Sequence, residues 1–253
     1  MCVYNGRRVS LAEFIRLKEM EAALQSMEGE GELAHSGYDY RSWPILKPKG
    51  TTGFEIVMAH WEFLPKIVPD SPFLFKFRER YNTLNAKGET LLTSALYREA
   101  ALNSRCLVLS TGFYEYRQLP QRGKKGQILK ASKKVPYHIT LPDRPYFFMA
   151  GISQLAMDGE SGELVDSFSI VTTTANSLVE KVHNVKKRMP TILPEELAYE
   201  WLFGTLSEAR IIDLATHQFP AEKMKAYSVH KDFSVSDKPS QSFIYDDVPE
   251  LQL

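Results

Sequence analysis

The spacing of apolar residues divides the chain into a helical beginning, an irregular stretch, a strand-rich centre and a helical end. Leu11, Phe14, Ile15, Leu17, Met20, Leu24 and Met27 form a helical stripe, and Ser10 with Glu13 has the spacing of a capping box. This predicts a helix that stops at Gly29 and Gly31. Prolines at 44, 48, 65, 69 and 72 then mark residues 36–72 as loop-rich, with short strands at Ile45-Leu46 and over 54–59. Leu91, Leu92, Ala95, Leu96 and Ala100 predict a second helix after Thr90.

From Arg105 onward the pattern turns to strands, over 106–109, 112–117, 136–141, 146–152 and 168–174. Between them, residues 118–134 carry Arg122, Lys124, Lys125, Lys130, Lys133 and Lys134 and read as a long basic hairpin loop. Two short helices are predicted over 194–203 and 207–217, the first opening on a proline, and a last strand over 226–230. Helices and strands without βαβ alternation indicate an α+β fold. The expected organisation is one domain over 1–233, followed by a polar, acidic tail over 234–253 that lies on the surface or frays.

Composition narrows the partners. The 31 lysines and arginines balance 31 aspartates and glutamates, so any attraction for nucleic acid must come from a local patch. With 2 cysteines, Cys2 and Cys106, a disulfide framework is excluded and a reducing, cytoplasmic setting is expected. No apolar run approaches the roughly 18–20 residues of a membrane span, and Arg7, Arg8, Glu13, Arg16, Lys18 and Glu19 interrupt the first twenty positions. His35, His60, His138, His217 and His230 lack metal-ligand spacing, so neither metal nor cofactor is expected.

Four segments carry candidate chemistry. Removal of Met1 makes Cys2 a 1,2-aminothiol, whose amine (reference pKa ~7.7–8.0) is partly neutral at pH 7 and condenses with aldehydes. The thiol can then add to the same carbon and close a thiazolidine. The plain alternative is a small second residue that merely permits methionine removal. Glu115 stands between Tyr114 and Tyr116, where desolvation raises a carboxyl pKa into the range useful for proton transfer; the alternative is a strand glutamate facing solvent. His183 precedes Lys186, Lys187 and Arg188, which suits proton transfer beside phosphates or an ordinary solvated basic loop. Asn85-Ala86-Lys87-Gly88-Glu89-Thr90 puts polar groups and a lysine ahead of a predicted helix, a possible phosphate seat.

Together these motifs resemble the SOS-response-associated peptidase (SRAP) family of abasic-site processing proteins. The resemblance runs over nearly the whole chain: Met1-Cys2, Trp61 to Pro65, Asn85 to Thr90, Arg105-Cys106, Gly112 to Tyr116, Phe148 to Gly151, Thr172 to Asn176, and His183 with Arg188-Met189-Pro190. It implies a curved, barrel-like, mostly antiparallel sheet with peripheral helices. It also implies a thiazolidine crosslink between mature Cys2 and abasic single-stranded DNA, with Glu115 transferring protons, His183 opening the sugar or reversing the link, and Asn85 positioning by hydrogen bonding. Lys87, Tyr116, Lys186, Lys187 and Arg188 are then the expected DNA contacts of a monomer, located in the cytoplasm or, in a eukaryote, the nucleus. Lys87 stands where many members have arginine, and Tyr116 replaces the commoner tryptophan. Besides crosslinking, with AP-lyase and reversal activity attached, two other functions fit: a cysteine-type (auto)peptidase and a non-enzymatic single-strand-binding module.

Overall fold

The computed structural model describes residues 4–7, 33–50, 53–123, 125, 127–144 and 146–251. Cys2 and the helix expected over 11–27 lie outside them. In chain order the elements are β1 (Tyr4–Arg7), β2 (Leu33–Ser36), β3 (Ser42–Lys49), β4 (Gly53–Trp61), β5 (Ile67–Val68), α1 (Ser71–Arg80), β6 (Asn85–Lys87), α2 (Arg98–Asn103), β7 (Arg105–Ser110), β8 (Gly112–Arg122) and β9 (Ile128–Thr140). Then follow β10 (Phe147–Asp158), β11 (Leu164–Thr174), α3 (Ser177–Val182), β12 (Arg188–Pro190), β13 (Ile192–Leu193), α4 (Glu195–Phe203), α5 (Glu208–Ala215) and β14 (Lys225–Ser228).

Five strands close into a ring in the order β4-β3-β7-β10-β11, with β11 returning to β4. That last contact is parallel, pairing Ser167 with His60, and the other four are antiparallel. This is the α+β, barrel-like fold expected from the sequence. Period-two alternation makes the ring strands two-sided. Cys106 and Val108 of β7 join Trp43, Ile45, Phe168 and Ile170 in a core completed by Phe113, Val135 and Ile139 of β8 and β9. Leu107 and Leu109 point the other way, into a core with Ala101 of α2, Trp201 of α4 and Leu214 of α5. Burial on both faces explains why these strands read as nearly continuous apolar runs. A second sheet, β14-β9-β8-β1-β2, flanks the barrel.

The structure corrects the sequence reading in four places. Residues 36–72 hold two long strands and most of a helix start rather than long loops: Pro44 and Pro48 lie opposite Met58 and Phe54 of β4, outside the Ile45-Leu46 stretch that alone pairs with β7. A proline is tolerated in a strand where its absent N–H is not called on. Pro72 falls in the first turn of α1, where a missing donor costs nothing, and the Asp70 carboxylate caps that turn by accepting from the Phe73 N–H at 2.7 Å. After Thr90 the chain makes successive turns (Thr93 N–H to Thr90 O, Tyr97 N–H to Ser94 O) that bury Leu91 and Leu92 side by side, and a helix begins only at Arg98. Finally, most of the basic segment 118–134 belongs to β8 and β9, and the Gly123 N–H closes the turn by donating to Gln127 O at 2.8 Å.

The two helices expected after Pro194 and Ser207 are α4 and α5, and the last strand is β14. The chain beyond it folds back: the Phe243 N–H donates to Ser228 O at 2.8 Å, the Tyr245 hydroxyl donates to Val229 O at 2.9 Å, and Val248 and Leu251 pack against the core.

Candidate functional site

Strand alternation sorts the Gly112 to Tyr116 motif. Tyr114 and Tyr116 face a small aromatic cluster with Tyr4 and Phe233, in which Tyr114 stacks on Phe233 with centroids 4.4 Å apart. Glu115 points the opposite way, beside its cross-strand neighbour Tyr137, and is 3% exposed. Burial pushes its carboxyl up to about 8, against the pull of the nearby Lys186 charge.

His183 comes to Glu115 from another part of the chain. The Asn176 carbonyl caps α3 by accepting from the Val179 N–H at 2.9 Å, while its amide donates to Phe219 O at 2.6 Å. The six-residue helix then delivers His183 at its C-terminal end. There the imidazole Nδ1 lies 2.9 Å from Arg188 O and 3.5 Å from Glu115 Oε1. A carbonyl only accepts, so Nδ1 carries the proton and Nε2 the lone pair. Burial, assisted by the positive charges of Lys186 and Arg188, pushes the imidazolium down to about 4. At neutral pH the pair is therefore a protonated carboxyl facing a neutral imidazole: an acid and a base with no net charge.

The arrangement is held by contacts that sequence motifs alone did not reveal. Asn184 bridges to β8, accepting from the Gln118 N–H at 3.0 Å and donating to Gln118 O at 2.8 Å. The Arg188 guanidinium forks onto Glu89 at 2.6 and 2.8 Å and also donates to Thr172 O and Oγ1. Thr174 Oγ1 donates to the same Glu89 carboxylate at 3.2 Å. Partial burial opposes ionisation of Glu89, yet the Arg188 contacts hold its carboxyl below the usual range. Asn184 follows His183 directly and Glu89 falls within the Asn85 to Thr90 motif, but their partners lie 66 and 99 residues away.

Asn85 and Lys87 lie on β6, parallel to β11 and opposite Ile170 and Thr172. The Trp61 indole donates to Leu84 O at 3.1 Å and fixes the entry to this strand. Gly88 allows the strand to end against α5, since a Cβ there would lie 2.3 Å from Ala215 O. The Glu89–Arg188 fork thus ties the Asn85 segment to the loop bearing His183.

The expected phosphate contacts divide. Lys87 and Lys186 are exposed and carry no ion pair among the described residues. Lys187, with φ 51°, reaches Glu180 at 2.7 Å, and Arg188 is engaged as described. Tyr116 is partly buried, its ring 6.2 Å from Tyr4 and 6.3 Å from Phe233. Cys106 is fully buried and burial raises its thiol far above the ordinary range, so it is no nucleophile.

A closed barrel with an appended β6 and a buried carboxyl–imidazole pair beside it defines an α+β protein with a titratable pair at one side of its barrel. The chain belongs to the SOS response associated peptidase (SRAP) family, whose model matches residues 7–235. Abasic site processing protein YoqW of Bacillus subtilis is 29% identical over 149 residues, 59% of this chain and 60% of its own. Abasic site processing protein HMCES of Xenopus tropicalis is 27% identical over 145 residues, 49% of this chain and 39% of its own. The chain therefore spans about 60% of the first of these curated relatives. A crystal structure of a Bacteroides thetaiotaomicron protein superposes with a TM-score of 0.79 at 29% identity, covering 96% of this chain and 100% of that one. A Bordetella bronchiseptica protein, at 20% identity and TM-score 0.65, covering 90% of this chain and 100% of its own, shares the fold.

Proposed function

We propose that the protein acts on abasic sites in single-stranded DNA and captures the sugar aldehyde through Cys2, in the form in which Met1 has been removed. The observation that carries this reading is the contact of Glu115 with His183 at 3.5 Å. Tyr4, two positions after Cys2, is in register with Tyr114, the neighbour of Glu115. The names of the relatives, abasic site processing proteins, agree with it.

The chemistry needs proton transfers of both directions. His183, a neutral base through Nε2, takes the C1 hydroxyl proton and returns it to the ring oxygen as the closed sugar opens to its aldehyde. The Cys2 amine adds to C1, and the carbinolamine loses its hydroxyl as water when protonated Glu115 supplies the proton and takes back the one that the nitrogen sheds. The thiol then adds to the imine carbon and its proton passes to the nitrogen. One aldehyde and one aminothiol give one thiazolidine and one water, with no change of oxidation state. Asn85 positions the sugar by hydrogen bonding, and Lys87 and Lys186 meet the adjoining phosphates.

Processed protein mixed with an abasic single-stranded oligonucleotide is expected to give a heat-stable adduct on denaturing electrophoresis, and none with an intact strand. Cys2→Ser and Cys2→Ala keep the amine and should give only borohydride-trappable adducts or strand cleavage. Retention of Met1 blocks the amine and should abolish the stable product. A stable, unreduced crosslink from the Met1-retaining protein rules out the aminothiol route. Proteolysis dependent on the Cys2 thiol and indifferent to abasic DNA supports a peptidase instead.

A further inference from the structure

Among the described residues, neither outer strand of the second sheet accompanies the β8–β9 hairpin to its end. The described pairing of β1 with β8 runs over Gly112 to Tyr114, and that of β14 with β9 over Tyr137 to Thr140. Beyond those points the ladder continues as a two-stranded ribbon, through Gln118↔Lys134 and Pro120↔Ser132 to a register shift before Arg122↔Ile128. Ile128, Leu129, Lys130 and Ala131 are consecutive and all exposed. Successive strand residues point to opposite faces, so both faces of the ribbon stand in water there. Ile128 is 67% exposed, and no second layer covers it among the described residues.

The charge of this ribbon is one-sided. From Arg117 to Leu141 the chain carries seven of its 31 lysines and arginines and no aspartate or glutamate, although the whole chain is neutral. Some of these cations are satisfied within the protein: Lys133 pairs with Asp247 at 2.5 Å, and the Arg117 guanidinium donates to Pro249 O at 2.6 Å. Lys125, Lys130 and Lys134 are exposed and have no ion pair among the described residues. The root of the ribbon is the candidate site itself, since Glu115 lies on β8 and Asn184 grips β8 at Gln118.

We propose that the β8–β9 ribbon is a nucleic-acid arm that holds the phosphodiester backbone flanking the captured nucleotide; the placement of that nucleotide rests on the abasic-site reading. At about 3.3 Å per strand residue, Glu115 to the far end of β8 at Arg122 spans ~23 Å. That matches the rise of about seven nucleotides of one strand at 3.4 Å each. The arm reads no base: it offers charge at successive positions along a path leaving the site. Phosphates of a continuing single strand and of a flanking duplex present the same chemistry, and a two-stranded ribbon is also narrow enough for a major groove.

The test is the triple variant Lys125→Gln, Lys130→Gln, Lys134→Gln, with the Lys→Arg triple as a charge-keeping control. Affinity is measured by fluorescence anisotropy against intact oligonucleotides of five and twenty nucleotides and against a strand with a duplex flank, across a salt series. The Gln variant is expected to bind the twenty-nucleotide strand about tenfold more weakly, with a salt slope smaller by about 2, and the five-nucleotide strand unchanged. The control should match the unmodified protein. Selective loss on the duplex-flanked strand assigns the arm to duplex; equal loss on both assigns it to the single strand. Unchanged affinity and slope on every long substrate overturn the arm, as does a variant that loses only binding to an acidic peptide. Intact DNA serves as the probe, so the two readings fail separately. Loss of affinity in a protein that forms no abasic adduct sinks the capture chemistry alone. Normal adducts with an unchanged slope sink the arm alone.

Discussion

Asn184 holds Gln118 by both halves of its amide, donating to the carbonyl at 2.8 Å and accepting from the N–H at 3.0 Å. A side chain thereby takes the place of a neighbouring strand on β8, beyond the last described pairing with β1 at Tyr4↔Tyr114. The neighbour of Asn184 in sequence is His183, so the same clamp sets the imidazole against Glu115.

Asn184→Ala should therefore cost function more than stability. Two partly exposed hydrogen bonds contribute about 1–2 kcal/mol, read as a small fall in the denaturant midpoint. Adduct formation should slow by about tenfold or more, with DNA affinity unchanged, because only the placement of His183 is disturbed. Unaltered kinetics in a destabilised protein would show the clamp to be structural only.

The protonation of Glu115 gives the second expectation. Its carboxyl holds a proton up to about pH 8 and loses it above. If it acts as the acid, the ratio of wild-type to Glu115→Gln rates is constant below that value and falls about tenfold per unit above it. Stability runs the same way: the folded state retains a proton that the unfolded state gives up near 4.5, so this contribution is lost as pH rises through about 8. Glu115→Gln should be relatively more stable at pH 8.5 than at pH 5.

Much of the fold was legible because burial on two faces leaves continuous apolar runs, as in β7 and β11. Errors arose where local chemistry and tertiary context part. Pro44 and Pro48 signal a loop locally, yet sit in β3 at positions with no claim on their missing N–H. The basic residues of 118–134 look like solvated loop, but the ladder persists through them in water. In the candidate site, Asn85, Glu115 and His183 stood out as motifs. What sequence did not reveal was that the Arg188 charge is spent on Glu89 and that of Lys187 on Glu180, contacts made through folding.

The Glu89–Arg188 fork yields a third expectation. Arg188→Lys keeps a cation but loses the bidentate geometry and should destabilise by about 1–2 kcal/mol. A positioning role predicts slower capture at unchanged DNA affinity. A phosphate contact predicts weaker binding with a reduced salt slope. Exchanging the two residues, Glu89→Arg with Arg188→Glu, should recover part of the stability if the pair is what matters.

His138 supplies a test of acid stability away from the site. It is buried, its Nδ1 lies 2.9 Å from the Tyr227 hydroxyl, and burial lowers its pKa to about 4. The unfolded chain takes up that proton near 6.5, so stability is lost as pH falls from there toward 4. His138→Gln should flatten this limb, saving up to about 3 kcal/mol between pH 7 and pH 4 in chemical denaturation.

β11 pairs with β10, β4, β6 and β12, and so belongs at once to the barrel ring and to the two short strands that carry Asn85 and Arg188. No local fraying can release one without the others. Amide protons of Val171 to Thr174 should exchange with solvent only through global opening, with protection factors equal to those of the barrel core. The scaffold of the site is then among the last parts of the molecule to come apart, and a partly unfolded chain that still holds its barrel would still hold the frame in which His183 meets Glu115.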